Sequence, residues 1–358
     1  LPAADIAVSP DVLLAILLPG LGFEAALKTD LGHLRPAAGA VTLLAAPGVR
    51  ITAAIVTLTL HLATGLDLGL ALVVGAMVSA TDPVAVLAIF RRVGAPPRLA
   101  TTVEAESLFN DGTGIVLFAI AVGAVSTPLD PGAGAVAFVA TVVISSAIGL
   151  VAGFVASRVI ATVDDHLVEL TISLLVAYGT YLVAGYLHES GVIATVVAGI
   201  VIGSYGRRIG MSQRTAEALD TVWEFLAFLL TAMTFLLVGL AISLDQLAGA
   251  AVSIAWAFAA VTVGRAVVVY GLLGGAGRLL RRDDRIPTAW LHVLFWAGLR
   301  GAVATALALS LPLDLPQRQL LAGTVFGVVV LTLVIQGTTA GLVIRRAGVA
   351  TDGAQGGA

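Results

Sequence analysis

A chain of 358 residues that is 59% hydrophobic and only 11% charged falls well short of the roughly 25% charged residues of a soluble domain. Its mean hydropathy is +1.04 and its apolar residues come in long repeated runs, which points to an all-α polytopic membrane protein in contact with the lipid bilayer. The net charge is -3 and there is no basic tract, so no nucleic-acid partner is expected, and the lack of cysteine excludes disulfide, thiol-redox and cysteine–metal chemistry.

Eleven apolar segments follow in chain order, at about 11–27, 39–64, 68–90, 100–125, 133–158, 166–187, 190–206, 216–243, 248–275, 288–312 and 319–344. Each approximates the ~20 residues of a helical span, whereas barrel strands would be about ten residues of alternating polarity. Basic residues mark every second connection: Lys28 and Arg35; Arg91, Arg92 and Arg98; Arg158; Arg207, Arg208 and Arg214; Arg278, Arg281, Arg282 and Arg285; Arg345 and Arg346. The intervening connections hold Arg318 alone. Positive loops face the cytoplasm, so the N-terminus is expected outside and the C-terminus inside a bacterial-type plasma membrane. The acidic N-terminus lacks a basic n-region, so no signal peptide is expected, and no soluble domain is expected on either side of the spans. The pairs Gly149/Gly153, Gly199/Gly203 and Gly337/Gly341 predict close helix contacts. His33, His61, His166, His188 and His292 lack metal-ligand spacing and read as loop or interfacial residues.

Ionisable residues inside spans are expensive and mark functional sites. Asp82 and Asp111 fall near mid-depth of the third and fourth segments, and Arg300 falls near mid-depth of the tenth. Asp82 is followed by Pro83, which removes a backbone donor and pushes the preceding residue out of helical geometry. The third segment therefore reads as unwound at its centre, and Gly298-Leu299-Arg300-Gly301 is the matching weak point of the tenth. Paired interrupted helices in corresponding places suggest inverted repeats around a transporter site, where freed carbonyls can coordinate a cation. On the fourth segment Ser107 and Asp111 share a helix face, and Glu106 and Asn110 share the next. Glu106 needs a buried partner, for which Arg300 is the natural choice, while Arg265 is expected to snorkel toward the cytoplasm. Glu224 beside Trp223 reads as interfacial. Hard cations such as Na+ take oxygen ligands, and a carboxylate removed from water favours its neutral form. Cation and proton then compete for one group.

These motifs carry a resemblance. Ser79-Ala80-Thr81-Asp82-Pro83-Val84-Ala85-Val86, Glu106-Ser107-Leu108-Phe109-Asn110-Asp111-Gly112 and Gly298-Leu299-Arg300-Gly301-Ala302-Val303-Ala304 resemble the monovalent cation:proton antiporter family, in its Na+/H+ exchanger (NhaP-like) branch. Leu18-Pro19-Gly20-Leu21-Gly22-Phe23-Glu24-Ala25-Ala26-Leu27 and Ser190-Gly191-Val192-Ile193-Ala194 match as well, so the likeness runs from about residue 10 to 345. It implies a homodimeric transporter that exchanges Na+ (or Li+ or K+) for H+ without a cofactor. It implies a core of ion-binding helices at about 68–125 and 248–344 within one transmembrane unit, 1–345, the remaining helices forming a dimerisation scaffold, with a short disordered cytoplasmic tail at 346–358. Asp111 would carry the cation or proton, with Asp82, Ser107, the Thr81 backbone and Glu24 completing the site. Asn110, Glu106, Arg300 and Pro83 would support it. The Asn110-Asp111 pair marks the electroneutral one-for-one branch. The family's first two spans find no counterpart ahead of residue 10, so about eleven spans are expected where thirteen are usual.

Two other readings compete. An inactive or truncated relative would share the fold without transport. An intramembrane aspartyl protease would also need two aspartates on neighbouring spans. Against the protease, Asp82 precedes a proline and interrupted repeats have no role in proteolysis.

Overall fold

A computed structural model describes residues 10–29, 31–126, 131–163, 165–241, 243–276 and 286–349, and all regular structure among them is helical. The basic connection at Arg278–Arg285 and the tail from residue 350 lie outside the described residues. In chain order the helices are α1 (Pro10–Lys28), α2 (Leu34–Thr64), α3 (Leu68–Met77), α4 (Val84–Val93), α5 (Pro97–Ser126), α6 (Pro131–Ile160) and α7 (His166–Tyr186). They continue as α8 (Gly191–Ile209), α9 (Gln213–Ala241), α10 (Leu244–Gly249), α11 (Ala251–Leu273), α12 (Thr288–Trp296), α13 (Ala302–Leu309) and α14 (Arg318–Arg346). Eight of these, α2, α5–α9, α11 and α14, are long and apolar enough to cross a membrane. The third and tenth apolar segments are each two half-helices, α3/α4 and α12/α13, as Pro83 and the Gly298–Gly301 stretch predict.

Local chemistry explains the boundaries. Gly65 closes α2 in the left-handed conformation that glycine tolerates, and the Asp67 carboxylate then caps α3 through the Gly69 amide at 2.8 Å. Pro83 precedes α4, where its missing N–H leaves no helical bond unmade. Arg318 caps the far end of α13, its guanidinium donating to the Leu311 and Leu309 carbonyls at 2.9 and 3.3 Å. Thus the lone arginine of the intervening connections is a helix cap.

The chain divides into two compact units. The first, Leu1–Leu31 with Thr127–Ala241, holds α1 and α6–α9. Its core includes Phe23, Leu27, Ile160, Ile202, Leu219 and Trp223. Trp223 is buried against Phe23 with ring centroids 4.6 Å apart, and its indole N–H donates to Ser173 Oγ at 3.0 Å. Its neighbour Glu224 is exposed. Small residues let the backbones meet: Gly149 and Gly153 lie against Ala194 and Ala198 of α8, and Gly199 and Gly203 lie against Phe23 and Leu27 of α1. The outward faces of α6 and α7 are aliphatic, with Val143, Leu150, Val151, Leu175 and Leu182 exposed, the pattern of a surface solvated by lipid.

The second unit, Gly32–Ser126 with Ile242–Ala358, holds α2–α5 and α10–α14. Its order is doubled: a long helix, an interrupted helix and a second long helix (α2, α3/α4, α5) recur as α11, α12/α13, α14. α2, which the sequence leaves among the scaffold helices, is held in this unit where Gly75 meets the Ala53 carbonyl and Gly264 meets Thr52. Pro47 lies in a π-helical turn of α2, Leu44–Gly48, and the Thr113 hydroxyl of α5 donates to the Ala45 carbonyl there at 2.7 Å.

The close packing of the first unit has a direct test. A Cβ on Gly203 would stand 2.9 Å from Leu27 Cα, whereas one on Gly179 would meet nothing within 4 Å. Gly203→Ala is expected to destabilise the fold by about 1–3 kcal/mol and lower the thermal midpoint in detergent, with Gly179→Ala unchanged.

Candidate functional site

The two interrupted helices of the second unit meet backbone to backbone: the Asp82 amide donates to the Leu299 carbonyl at 2.8 Å. Four helix ends converge there, and in a membrane interior their unpaired amides and carbonyls find no water. Asp82 serves two of them. Its Oδ1 accepts from the Val84 amide at 3.0 Å and its Oδ2 from the Ala302 amide at 3.1 Å, so one carboxylate caps the N-termini of both α4 and α13. Gly301 makes this contact, since a Cβ there would collide with the Asp82 carboxylate.

Arginines serve the other two ends. Arg300, 1% exposed, donates through Nη1 to the Ser79 and Ala80 carbonyls just past α3, at 2.5 and 2.8 Å. Arg265 donates through Nε and Nη2 to the Leu294 carbonyl in the last turn of α12, at 3.1 and 2.6 Å. Arg265 also grips both carboxylate oxygens of Glu106, with Nη2 3.0 Å from Oε2. This corrects two expectations. The partner of Glu106 is Arg265 rather than Arg300, and Arg265 is buried in the protein rather than snorkelling to an aqueous face. Gly298 makes room for it, because a Cβ there would lie 2.9 Å from Arg265 Nε. Arg265 is thus the site residue that sequence reading missed. The signal was present: an arginine within a span, and a buried glutamate needing a cation.

The unwound strand after α3 is clamped by α5. The Asn110 side chain donates to Thr81 Oγ1 at 2.6 Å and accepts from the Thr81 amide at 3.2 Å. Ser107 Oγ donates to the Thr81 carbonyl at 2.5 Å. One turn further along α5 stands Asp111, partly exposed, with no hydrogen bond to its carboxylate among the described residues. Ser107, Asn110, Thr81, Asp82, Pro83, Glu106 and Arg300 therefore gather with Asp111 at one crossing. Glu24 belongs to the first unit, where Lys28 Nζ lies 2.7 Å from Glu24 Oε1 and 3.2 Å from Glu224 Oε2.

The charges at the crossing balance: Asp82 and Glu106 against Arg265 and Arg300. Asp111 is left over. It is the carboxylate whose oxygens are available, beside the Ser107 hydroxyl and the Thr81 carbonyl, a donor set that suits a hard monovalent cation or a proton.

The family model for the transmembrane sodium/hydrogen exchangers matches residues 3–346. The chain belongs to the sodium/hydrogen exchanger family. Membership makes this exchanger-family chain a transporter rather than an enzyme, and nothing in the likenesses favours the protease reading. Over 355 residues it is 41% identical to the Na+/H+ antiporter ApNhaP of Aphanothece halophytica, covering 97% of this chain and 67% of that protein. Over 345 residues it is 40% identical to the low-affinity Na+/H+ antiporter NhaS1 of Synechocystis sp., covering 94% and 65%. The chain thus spans about two thirds of the length of these two relatives. Its fold matches that of the sodium proton antiporter MjNhaP1 from Methanocaldococcus jannaschii at 20% identity, with a TM-score of 0.77 over 95% of this chain and 88% of the other.

The Glu106–Arg265 pair can be tested by a double-mutant cycle. Arg265→Met leaves the buried Glu106 carboxylate without its cation and is expected to cost about 3–5 kcal/mol of stability. Adding Glu106→Gln removes the stranded charge and should restore more than half of the loss, as read by thermal unfolding in detergent.

Proposed function

We propose that this exchanger-family protein transports one monovalent cation, Na+ foremost, in exchange for one proton by alternating access. The observation that carries the reading is the solitary position of Asp111: every other charged group at the crossing is engaged in a helix cap or an ion pair, so one carboxylate remains to load and unload. The names of the relatives, all Na+/H+ antiporters, agree with it.

In this reading Asp111 holds the cation together with Ser107 Oγ and the Thr81 carbonyl. A proton arriving on Asp111 cancels the charge that binds the cation and releases it. Asp82 is the counter-charge for the two helix N-termini. Asn110 and Ser107 hold the Thr81 carbonyl where the ion needs it. Glu24 stands outside the proposed ion set, because Lys28 already neutralises it. One surplus carboxylate exchanging one monovalent cation for one proton carries no net charge per cycle. We further propose that the protein works as a homodimer through its first unit, with the N-terminus outside and the C-terminus cytoplasmic in a plasma membrane, and that it needs no cofactor.

Everted vesicles containing the protein, acidified inside, should show luminal alkalinisation on addition of Na+, and Asp111→Asn should abolish it. The apparent KM for Na+ should rise as pH falls, by about tenfold per pH unit where protons occupy most sites, because the proton is the competitor. An absence of any cation-dependent proton movement between about pH 6 and 9 would sink the proposal, and a rate that follows an imposed membrane potential would contradict one-for-one exchange.

A further inference from the structure

Helix α14 runs alongside the break between α12 and α13, and two of its hydroxyls bond to the residues around it. Thr332 Oγ1 accepts the Arg300 amide at 3.2 Å, and Thr339 Oγ1 accepts the Trp296 indole N–H at 2.9 Å. Between them on the same stripe lies Gln336, inside a π-helical turn, Thr332–Gly337. A Cβ on the next residue, Gly337, would stand 3.3 Å from Leu299, so this stretch of α14 is seated on the non-helical segment itself. Gln336 is 4% exposed, yet its Oε1 has no donor among the described residues. A buried amide oxygen without a donor costs about 1–3 kcal/mol.

A complementary orphan belongs to Arg300, whose backbone amide is bonded to Thr332, four residues before Gln336. Arg300 uses its Nη1 on the carbonyls beyond α3 and its backbone amide on Thr332, while its Nε, also buried, has no acceptor. Gln336 lies one turn along α14 from Thr332, about 5–6 Å from the point where the Arg300 backbone is anchored. That is within the span of an arginine side chain. One element thus carries an unused buried acceptor and its neighbour an unused buried donor, in a wide turn of the kind that recurs at functional sites.

We infer that Gln336 is a positioning residue of the transport cycle, the hydrogen-bond acceptor for the Arg300 guanidinium in a second arrangement of the crossing. In the present arrangement Arg300 holds the carbonyls beyond α3 and leaves Gln336 unmatched. In the other it turns its Nε–H to Gln336, loosening the unwound strand that carries the Thr81 carbonyl. The unmatched acceptor strains the first arrangement by the same hydrogen bond that stabilises the second. This rests on the exchange function proposed above.

The test separates stability from turnover in the full-length protein. Gln336→Met keeps the side-chain volume and deletes the acceptor. A buried acceptor with no partner is better replaced by an apolar atom, so the variant's thermal midpoint in detergent should rise, by about 1–2 °C or more. Its Na+-driven proton exchange should slow about fivefold or more, the worth of one hydrogen bond in the transition arrangement, with the apparent KM for Na+ unchanged. Gln336→Glu, which keeps an acceptor at the same place, should restore at least half of the turnover. A Met variant that is less stable than wild type, or fails to assemble, identifies Gln336 as a structural residue and overturns the inference. So does a Met variant with wild-type turnover, or a Glu variant as slow as Met. The thermal measurement needs no transport, so it stands apart from any failure of the exchange assay, for which wild type and Asp111→Asn are the reference pair.

Discussion

Everything at the centre of the second unit follows from one constraint: helix ends inside a membrane must be satisfied by the protein itself. Breaking two helices creates four such ends. Here the two amino ends share Asp82, and the two carboxyl ends take Arg300 and Arg265. Glu106 then compensates Arg265, and by count the two carboxylates Asp82 and Glu106 match the two arginines. The result is a neutral scaffold of charges around a gap in the backbone, so a fifth charge, on Asp111, is free of structural duty.

The same constraint shows why small residues recur at particular positions. Gly301 and Gly298 admit the two charged side chains that reach the α12–α13 break. In the first unit, Gly149, Gly153, Gly199 and Gly203 bring whole helices into backbone contact. Lipid supplies no hydrophobic drive between helices, so packing of this kind replaces it. With aromatics at 6% of residues, the chain has few large side chains with which to fill looser interfaces.

Much of this was legible in the residues. Pro83 after Asp82 and the glycines flanking Arg300 announce the two breaks, and the spacing of Ser107 and Asp111 announces their shared face. What the sequence withholds is the register between helices distant in the chain. Glu106 has two arginines at similar depth to choose from, and which one reaches it depends on how α11 lies against α5 and α12. That Asp82 caps a second helix, 220 residues away, is likewise invisible until Gly301 is seen against it. The burial of Trp223 had no forewarning, because a tryptophan next to an exposed acid has the same local pattern at an interface as in a core.

The shared cap on Asp82 also has a mechanical meaning. Two half-helices from opposite halves of the chain are riveted by a single side chain only one methylene long. Asp82 stays with α4 through Val84, so sliding α13 past it would break the Ala302 bond and leave the positive end of α13 uncapped in hydrocarbon. Displacement within the second unit is therefore cheapest when α4 and α13 travel together as one block, and shape change falls on contacts outside this shared cap.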